Sequence, residues 1–161
     1  MLFRSDFDRC GFGAKPVQKP MPPIYFSGLK DPKRSASRIA KYGLKGWIGI
    51  QDTPEELKKW RSEIQRELEA LGGGHSIGDV EMCSMIWFVI TDEKTDQTPN
   101  GKLSNLLVGT ADQITDNLKR YKEAGMAMPL LWPPFSDVPV SKTLDDLKRL
   151  QNEIMPKVNA I

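Results

Sequence analysis

Side chains that bind zinc or form disulfides are scarce in this chain of 161 residues, which has two cysteines and one histidine. Cys10 and Cys83 lie far apart, and neither belongs to a Cys-x-x-Cys pair, so we expect neither a disulfide framework nor a zinc site. We therefore expect no bound metal and a reduced, cytoplasmic setting.

Long apolar runs and an excess of charge of one sign are also missing. The longest apolar run, Met85–Ile90, is far shorter than the roughly 20 residues of a membrane-spanning helix, and the first ten residues lack the apolar stretch of a signal peptide. The 23 basic and 21 acidic residues nearly cancel, leaving a net charge of +2. This balance gives no field that would favour nucleic acid or an anionic membrane as a partner.

What the chain does contain is an alternation of short apolar runs and amphipathic segments. The apolar runs predict strands at Pro23–Gly28, Gly46–Ile50, Glu81–Thr91 and Met126–Trp132. Each is followed by a segment of helical spacing. These segments are Pro32–Tyr42, a helix from Thr53 to the glycines at 72–74, a helix from Thr110 to Gly125, and a last helix with Leu144, Leu147, Leu150 and Ile154 as its apolar stripe, up to Pro156.

Two of the predicted helices begin with a capping box, a Ser or Thr whose side chain pairs with Glu or Gln three residues later. Thr53 with Glu56 supplies the first box, and Thr110 with Gln113 supplies the second. Residues 92–101, ahead of the second box, form a polar loop that ends in a strong turn signal at Pro99-Asn100-Gly101.

The repeated strand–helix order predicts an α/β fold of four consecutive βα units. Strands that are apolar on both faces indicate a parallel sheet with right-handed crossovers. An open doubly wound sheet and half of an eight-fold (β/α)8 barrel both satisfy this pattern. Residues 1–22, rich in proline, are expected to form an extended arm ahead of the domain at 23–161.

Four blocks of the chain resemble, in order and spacing, the C-terminal half of the bacterial-luciferase-like monooxygenase family. They are KPVQKPMPPIYFSG (15–28), AKYGLKGWIG (40–49), the long helix TPEELKKWRSEIQRELEALG (53–72) and LVGTADQITDNLKRYKEAGM (107–126). The family consists of flavin- and deazaflavin-dependent barrel oxidoreductases. The resemblance implies the second half of a (β/α)8 barrel, and chemistry on an organic substrate by reduced flavin and oxygen or by hydride transfer with a deazaflavin.

The resemblance also implies a cofactor-binding turn after the first strand, for FMN or a deazaflavin coenzyme. Ser27, Gly28, Leu29 and Lys30 occupy it, where the family commonly has a Gly-Gly pair. A turn that opens a helix offers free N–H groups to a phosphate. The same residues also make an ordinary strand-to-helix turn capped by Asp31, which is the reading we favour from the residues alone.

The resemblance covers only half of a barrel, and the other half supplies most of the family's catalytic groups. We therefore expect this chain alone to lack a complete active site, and we assign no catalytic residue. The alternative is a non-catalytic half-barrel that forms a homodimer or complements a separate N-terminal half. Unpaired sheet edges and an uncovered inner face favour such association.

Other candidate residues have plainer interpretations. In this topology the chemistry gathers in loops at the carboxyl ends of strands, here 27–31, 50–53, 91–101 and 132–141. We expect His75, which follows a helix end, to be an exposed loop residue, and Trp47 to lie in the core. We expect the acidic residues Asp92, Glu93 and Asp96 to form a solvated loop rather than a cation site. The segment Trp132–Phe135 fits either an apolar wall over a flavin ring or an aromatic cap.

Overall fold

The computed structural model describes residues 17–19, 22–27, 30–95, 106–133 and 138–159. Its strands are β1 (Tyr25–Ser27), β2 (Gly46–Ile50), β3 (Glu81–Ile90), β4 (Leu106–Gly109) and β5 (Met128–Trp132). Its helices are α1 (Pro32–Tyr42), α2 (Pro54–Leu71), α3 (Ala111–Glu123), α4 (Val140–Arg149) and α5 (Met155–Asn159). A 3₁₀ turn at Ile77–Asp79 precedes β3, and a π turn at Leu150–Ile154 joins α4 to α5. Most of the proposed arm, residues 1–22, lies outside the described residues.

All pairs of neighbouring strands in the described sheet are parallel, as the sequence predicts. β1 pairs with β2 and β2 with β3. β5 pairs with β3 on the opposite edge, because Cys83–Met85 have partners in both β2 and β5. The four strands of the predicted βα units therefore lie side by side in the order β1, β2, β3, β5, which confirms the predicted fold class.

The fifth strand, β4, is one that the sequence analysis missed. It pairs in parallel with the carboxyl-terminal end of β3, from Trp87 to Ile90. Trp87 has partners in both β4 and β5, so β4 occupies the edge of β3 that β2 leaves after Ile50. Four residues directly before a helix cap carry too little pattern for a strand to be predicted, and the pairing with β3 is what creates it.

The helices begin where the capping signals indicate. Thr53 Oγ1 accepts a hydrogen bond from Glu56 N at 3.2 Å, and the Glu56 carboxylate accepts one from Thr53 N at 2.9 Å. Thr110 and Gln113 form the second box in the same way. α2, with 18 residues, is the longest helix and is amphipathic. Among the described residues no helix is both long enough and apolar enough to cross a bilayer.

The last helix departs from the prediction in two respects. It continues past Pro156 as α5 instead of ending there, after the π turn at Leu150–Ile154. Proline has no N–H to donate to the preceding turn, and a π turn is a usual way for a helix to change its hydrogen-bond register. The predicted apolar stripe is also only half buried, because Leu144 and Leu147 are exposed while Ile154 is fully buried.

The two faces of the sheet differ sharply in burial. Side chains that alternate along β2 and β3, including Trp47, Met82 and Phe88, join the helices in one core. The opposite face of the sheet is called the inner face here. It carries the side chains at the intervening strand positions, because successive side chains of a strand point to opposite faces. Four large apolar members of this face have exposed fractions of 38–47%, namely Ile50, Trp87, Met128 and Trp132. The parallel sheet therefore has its described helices on one side only.

Candidate functional site

A cavity of about 370 Å³ opens where β1 and β2 end. Ser27, the last residue of β1, and Lys30 from the turn that follows line one side of it. Residues 47–50 of β2 form its mostly apolar wall, and Asp52 closes it. Two of the four residues proposed from sequence as a cofactor-binding turn thus line one cavity, while Gly28 and Leu29 lie outside the described residues.

The turn after β1 holds Lys30 in an unusual backbone conformation. Its φ angle is 54°, in the left-handed region that residues with a Cβ seldom adopt. Asp31, the next residue, accepts a hydrogen bond from Arg34 N at 3.0 Å and so caps α1, as predicted. The cap fixes the start of the helix, and Lys30 is left with its ammonium 3.9 Å from an oxygen of Asp52.

Asp52 is the residue of the site that sequence reasoning did not single out, although its loop was among those expected to carry chemistry. Its side chain is fully buried. The indole N–H of Trp60 donates to its Oδ1 at 3.2 Å, and the Tyr121 hydroxyl donates to its backbone carbonyl at 2.7 Å. The preceding residue, Gln51, also has a left-handed backbone with φ at 53°. Helices α2 and α3 together therefore fix the position of this carboxyl group.

The electrostatic state of Asp52 is set mainly by its burial. Burial raises the pKa of the Asp52 carboxyl, while the Lys30 ammonium and the Trp60 indole act in the opposite direction. Its second oxygen, Oδ2, is buried and has no hydrogen-bond partner among the described residues. A buried polar atom without a partner is costly, so the cavity contains an acceptor, or a proton-binding site, that the described protein groups do not satisfy.

A second cavity, of about 430 Å³, lies at the start of α3 against the π turn and α5. Its charged side chains are already paired. Arg149 contacts Asp92 at 2.9 Å and Glu153 at 3.0 Å, and Lys157 contacts Asp112 at 2.6 Å. This cavity therefore provides a surface ion-pair network with no unsatisfied charge that would favour a ligand.

The structure also locates most of the other residues that the sequence analysis considered. Trp47 is buried in the core, and His75 is an exposed loop residue, as expected. Asp92 and Glu93 belong to no group of potential metal ligands within the described part of the chain, and Asp96 lies outside it. Trp132 is partly exposed at the end of β5, and Pro134 and Phe135 lie outside the described residues. Cys83 is a buried free thiol, whereas nothing is described around Cys10.

Several solved structures share this architecture. An F420-dependent secondary alcohol dehydrogenase in complex with an F420–acetone adduct matches 89% of this chain with a TM-score of 0.61 and 17% identity. The coenzyme F420-dependent tetrahydromethanopterin reductase of Methanopyrus kandleri matches 83% with a TM-score of 0.59 and 13% identity. The FMN-bound oxygenating constituent of 3,6-diketocamphane monooxygenase from Pseudomonas putida matches 86% with a TM-score of 0.58 and 13% identity.

The shared architecture is half of a (β/α)8 barrel. At these identities the likeness shows the fold alone. The chain spans about half the length of these proteins, covering 50%, 50% and 49% of them respectively. No protein-family model and no curated protein sequence matches the chain. The resemblance that the four sequence blocks carry is thus confirmed at the level of fold. In this half-barrel the cavity lies where β1 and β2 end.

Proposed function

We propose that this chain is the cofactor-binding segment of a flavin- or deazaflavin-dependent oxidoreductase of the luciferase-like type, acting on an organic substrate. Support comes from the cavity that Ser27, Lys30 and Asp52 form at the carboxyl ends of β1 and β2. The similar structures include one with an F420 adduct and one with FMN. The proposal also takes residues 23–161 as the half-barrel and residues 1–22 as an arm.

Lys30 and Ser27 are the side chains of the cavity that could hold a phosphate-bearing cofactor. The Lys30 ammonium is half exposed and reaches into the cavity, where it would hold an anionic group, and the Ser27 hydroxyl is an additional donor. Backbone N–H groups of the turn, including those of Gly28 and Leu29, are proposed as further donors at the start of α1. The bound cofactor would supply the hydride or electron transfer.

The protein groups of this half-barrel would position the cofactor rather than perform the reaction. The apolar wall of β2 would exclude water from one side of the bound molecule. Asp52 is the one buried titratable group of the cavity, and it is held in place by Trp60. We assign no catalytic residue to this chain.

Titration of the purified protein with FMN and with a deazaflavin, followed by quenching of ligand fluorescence, tests the proposal. Lys30→Met should weaken FMN binding by about tenfold, because a charge-assisted hydrogen bond contributes about 1.5–3 kcal/mol. Lys33→Met is the matched control, since Lys33 is an exposed lysine on α1 that does not line the cavity. Absence of quenching by either ligand at high micromolar concentration would contradict the proposal.

The exposed inner face favours a second candidate function, that of a non-catalytic half-barrel that associates with a partner. Two edge strands, β1 and β5, flank the described barrel strands, and the inner face carries four exposed large apolar side chains. The partner would be a second copy of the chain or a separate N-terminal half. Analytical ultracentrifugation tests self-association directly, and a stable, well-folded monomer at high protein concentration would rule out the homodimer.

A further inference from the structure

Asp52 and Lys30 share the cavity, and each compensates the charge of the other only weakly. The Lys30 ammonium lies 3.9 Å from Asp52 Oδ1, beyond hydrogen-bond distance, and its side chain is 53% exposed. Oδ1 is hydrogen-bonded to the Trp60 indole, and Oδ2 has no partner within the described part of the chain. The carboxyl group is thus buried, and the Trp60 indole, a backbone hydrogen bond at Ile50 and the distant Lys30 ammonium are the described groups that favour its charged form.

An anion bound to Lys30 would change this balance. The ammonium group would then neutralise the ligand, and a charged Asp52 would face both the loss of its counter-ion and the repulsion of a second negative charge nearby. A buried carboxylate in such surroundings takes up a proton instead of remaining charged. Once protonated, the carboxyl group gains an O–H donor that can be offered to the anion.

The other groups around Asp52 do not provide an alternative counter-ion. α2 contributes Glu56, which is itself negative and accepts the capping-box hydrogen bond from Thr53. α3 contributes the Tyr121 phenol, which is neutral in this pH range, and burial raises its pKa further. β3 contributes Ser84, an uncharged residue in register with Gly49 of the cavity wall. Within the described part of the chain, Lys30, from the turn after β1, is thus the only cation that lowers the pKa of Asp52.

We propose that the cavity binds its anionic ligand together with one proton, which Asp52 takes up from solvent. This inference rests on the proposed role of the cavity as an anion site, and it adds how binding there depends on pH. An O–H bond forms on Asp52, the proton leaves a solvent or buffer molecule, and no other bond changes.

The sign of the pH dependence follows from this linkage. Ligand binding raises the affinity of Asp52 for its proton, so the ligand binds most tightly at low pH, where the carboxyl group is already protonated. As the pH rises above the pKa of the unliganded site, the affinity falls by up to about tenfold per pH unit, and it levels off above the pKa of the complex. Burial already raises the pKa of Asp52 in the free protein, which moves this range towards neutrality.

Isothermal titration calorimetry with sulfate and with FMN tests the proposal between about pH 5 and pH 8, a range chosen to span a raised carboxyl pKa. Sulfate keeps its charge across this range, so any pH dependence belongs to the protein. In two buffers of different ionisation enthalpy, the wild type should take up most of a proton per ligand at the pH where its affinity falls most steeply. Asp52→Asn should bind sulfate with little pH dependence, and more tightly than the wild type at the alkaline end.

Two further variants keep the test decisive. Asp92→Asn removes an exposed carboxylate outside the cavity and should retain the wild-type pH dependence and proton uptake. Trp60→Phe removes the donor that stabilises the charged form, so the fall in affinity should begin at higher pH than in the wild type. This shift remains measurable if Asp52→Asn does not fold.

Three outcomes of the sulfate and FMN titrations would overturn the proposal, and a fourth would support it. Sulfate binding by the wild type without proton uptake, or failure of sulfate to bind at any pH, would overturn the proposal. Weaker sulfate binding by Asp52→Asn than by the wild type at every pH would also overturn it, because removing a carboxylate that repels the anion should strengthen binding at the alkaline end. Proton-linked sulfate binding without any binding of FMN or deazaflavin would support the proposal and contradict the flavin function.

Discussion

Gly49 has no side chain, and the space that this leaves in the cavity wall is occupied by the Asp52 carboxyl group and the Trp47 ring. A Cβ atom at this position would lie 1.9 Å from Asp52 Oδ2 and 2.7 Å from the Trp47 ring. Both neighbours are buried. The absence of a side chain is therefore what allows the Asp52 carboxyl group to occupy its buried position above the strand.

Gly49→Ala should consequently destabilise the protein by about 3 kcal/mol, near the upper end of overpacking costs. The free energy of unfolding from urea denaturation measures this. Gly78→Ala is the matched control, because its Cβ would meet only the flexible hydroxyl of Ser76 at 3.3 Å. We expect less than about 1 kcal/mol for the control. Equal stabilities of the two variants would contradict the packing described around Asp52.

Asp52 also shows the limit of reading single residues from the sequence. An acidic residue directly after an apolar strand is a usable signal, because that position lies at the end of the sheet where ligands bind. The sequence does not reveal that the side chain is buried, since the groups responsible, Trp60 and Tyr121, come from two separate helices.

At the scale of elements, the capping boxes define where helices start. Thr110 and Gln113 satisfy each other's backbone donors at the start of α3, and the Gln113 side chain also bonds Thr95 N and O beyond the end of β3. This box therefore connects the start of α3 to the segment that follows β3. Replacing Thr110 by alanine would remove the side-chain oxygen that accepts a hydrogen bond from Gln113 N. Water replaces this hydrogen bond only in part.

Thr110→Ala should lower the free energy of unfolding by about 1 kcal/mol, a typical loss for a helix cap. Ser141→Ala, at an exposed position within α4, is the control and should change it by less than about 0.5 kcal/mol. Thermal or urea denaturation of the three proteins gives the comparison. A Thr110→Ala protein as stable as the wild type would show that the box does not contribute to stability.

In the whole molecule, a group of large, exposed apolar side chains lies on the inner face of the sheet. The inner face carries Ile50, Trp87, Met128 and Trp132. A complete (β/α)8 barrel fills its interior with side chains from all eight strands. The exposed groups are thus those that a second half-barrel would cover.

Association through this surface would be sensitive to charge placed on the inner face. Met128→Lys should weaken self-association by at least about tenfold, because a lysine ammonium would have to be buried between the two halves. Sedimentation velocity over a range of protein concentrations measures the effect. Leu71→Lys, at the exposed end of α2, introduces the same charge away from the inner face and should leave association unchanged. Equal loss in both variants would exclude the inner face as the contact surface.

The alternation of strands and helices, the parallel sheet and the capped helix starts could all be predicted from the amino-acid sequence. These features follow from hydrophobic periodicity and from hydrogen bonds between residues three apart, and both are local in the chain. The exposure of Leu144 and Leu147 and the pairing of β4 could not be read in this way. They depend on what lies next to each element in space.

The composition of the cavity, in contrast, depends on contacts between residues that are distant in the chain. Lys30 and Asp52 belong to turns after different strands, and Tyr121, which fixes the Asp52 backbone, lies 69 residues further along the chain. The parallel sheet brings its strand ends to one edge, and the helices that return from it bury a carboxyl group there. Burial by distant elements, which no local pattern records, is what gives Asp52 its raised pKa and its place in the site.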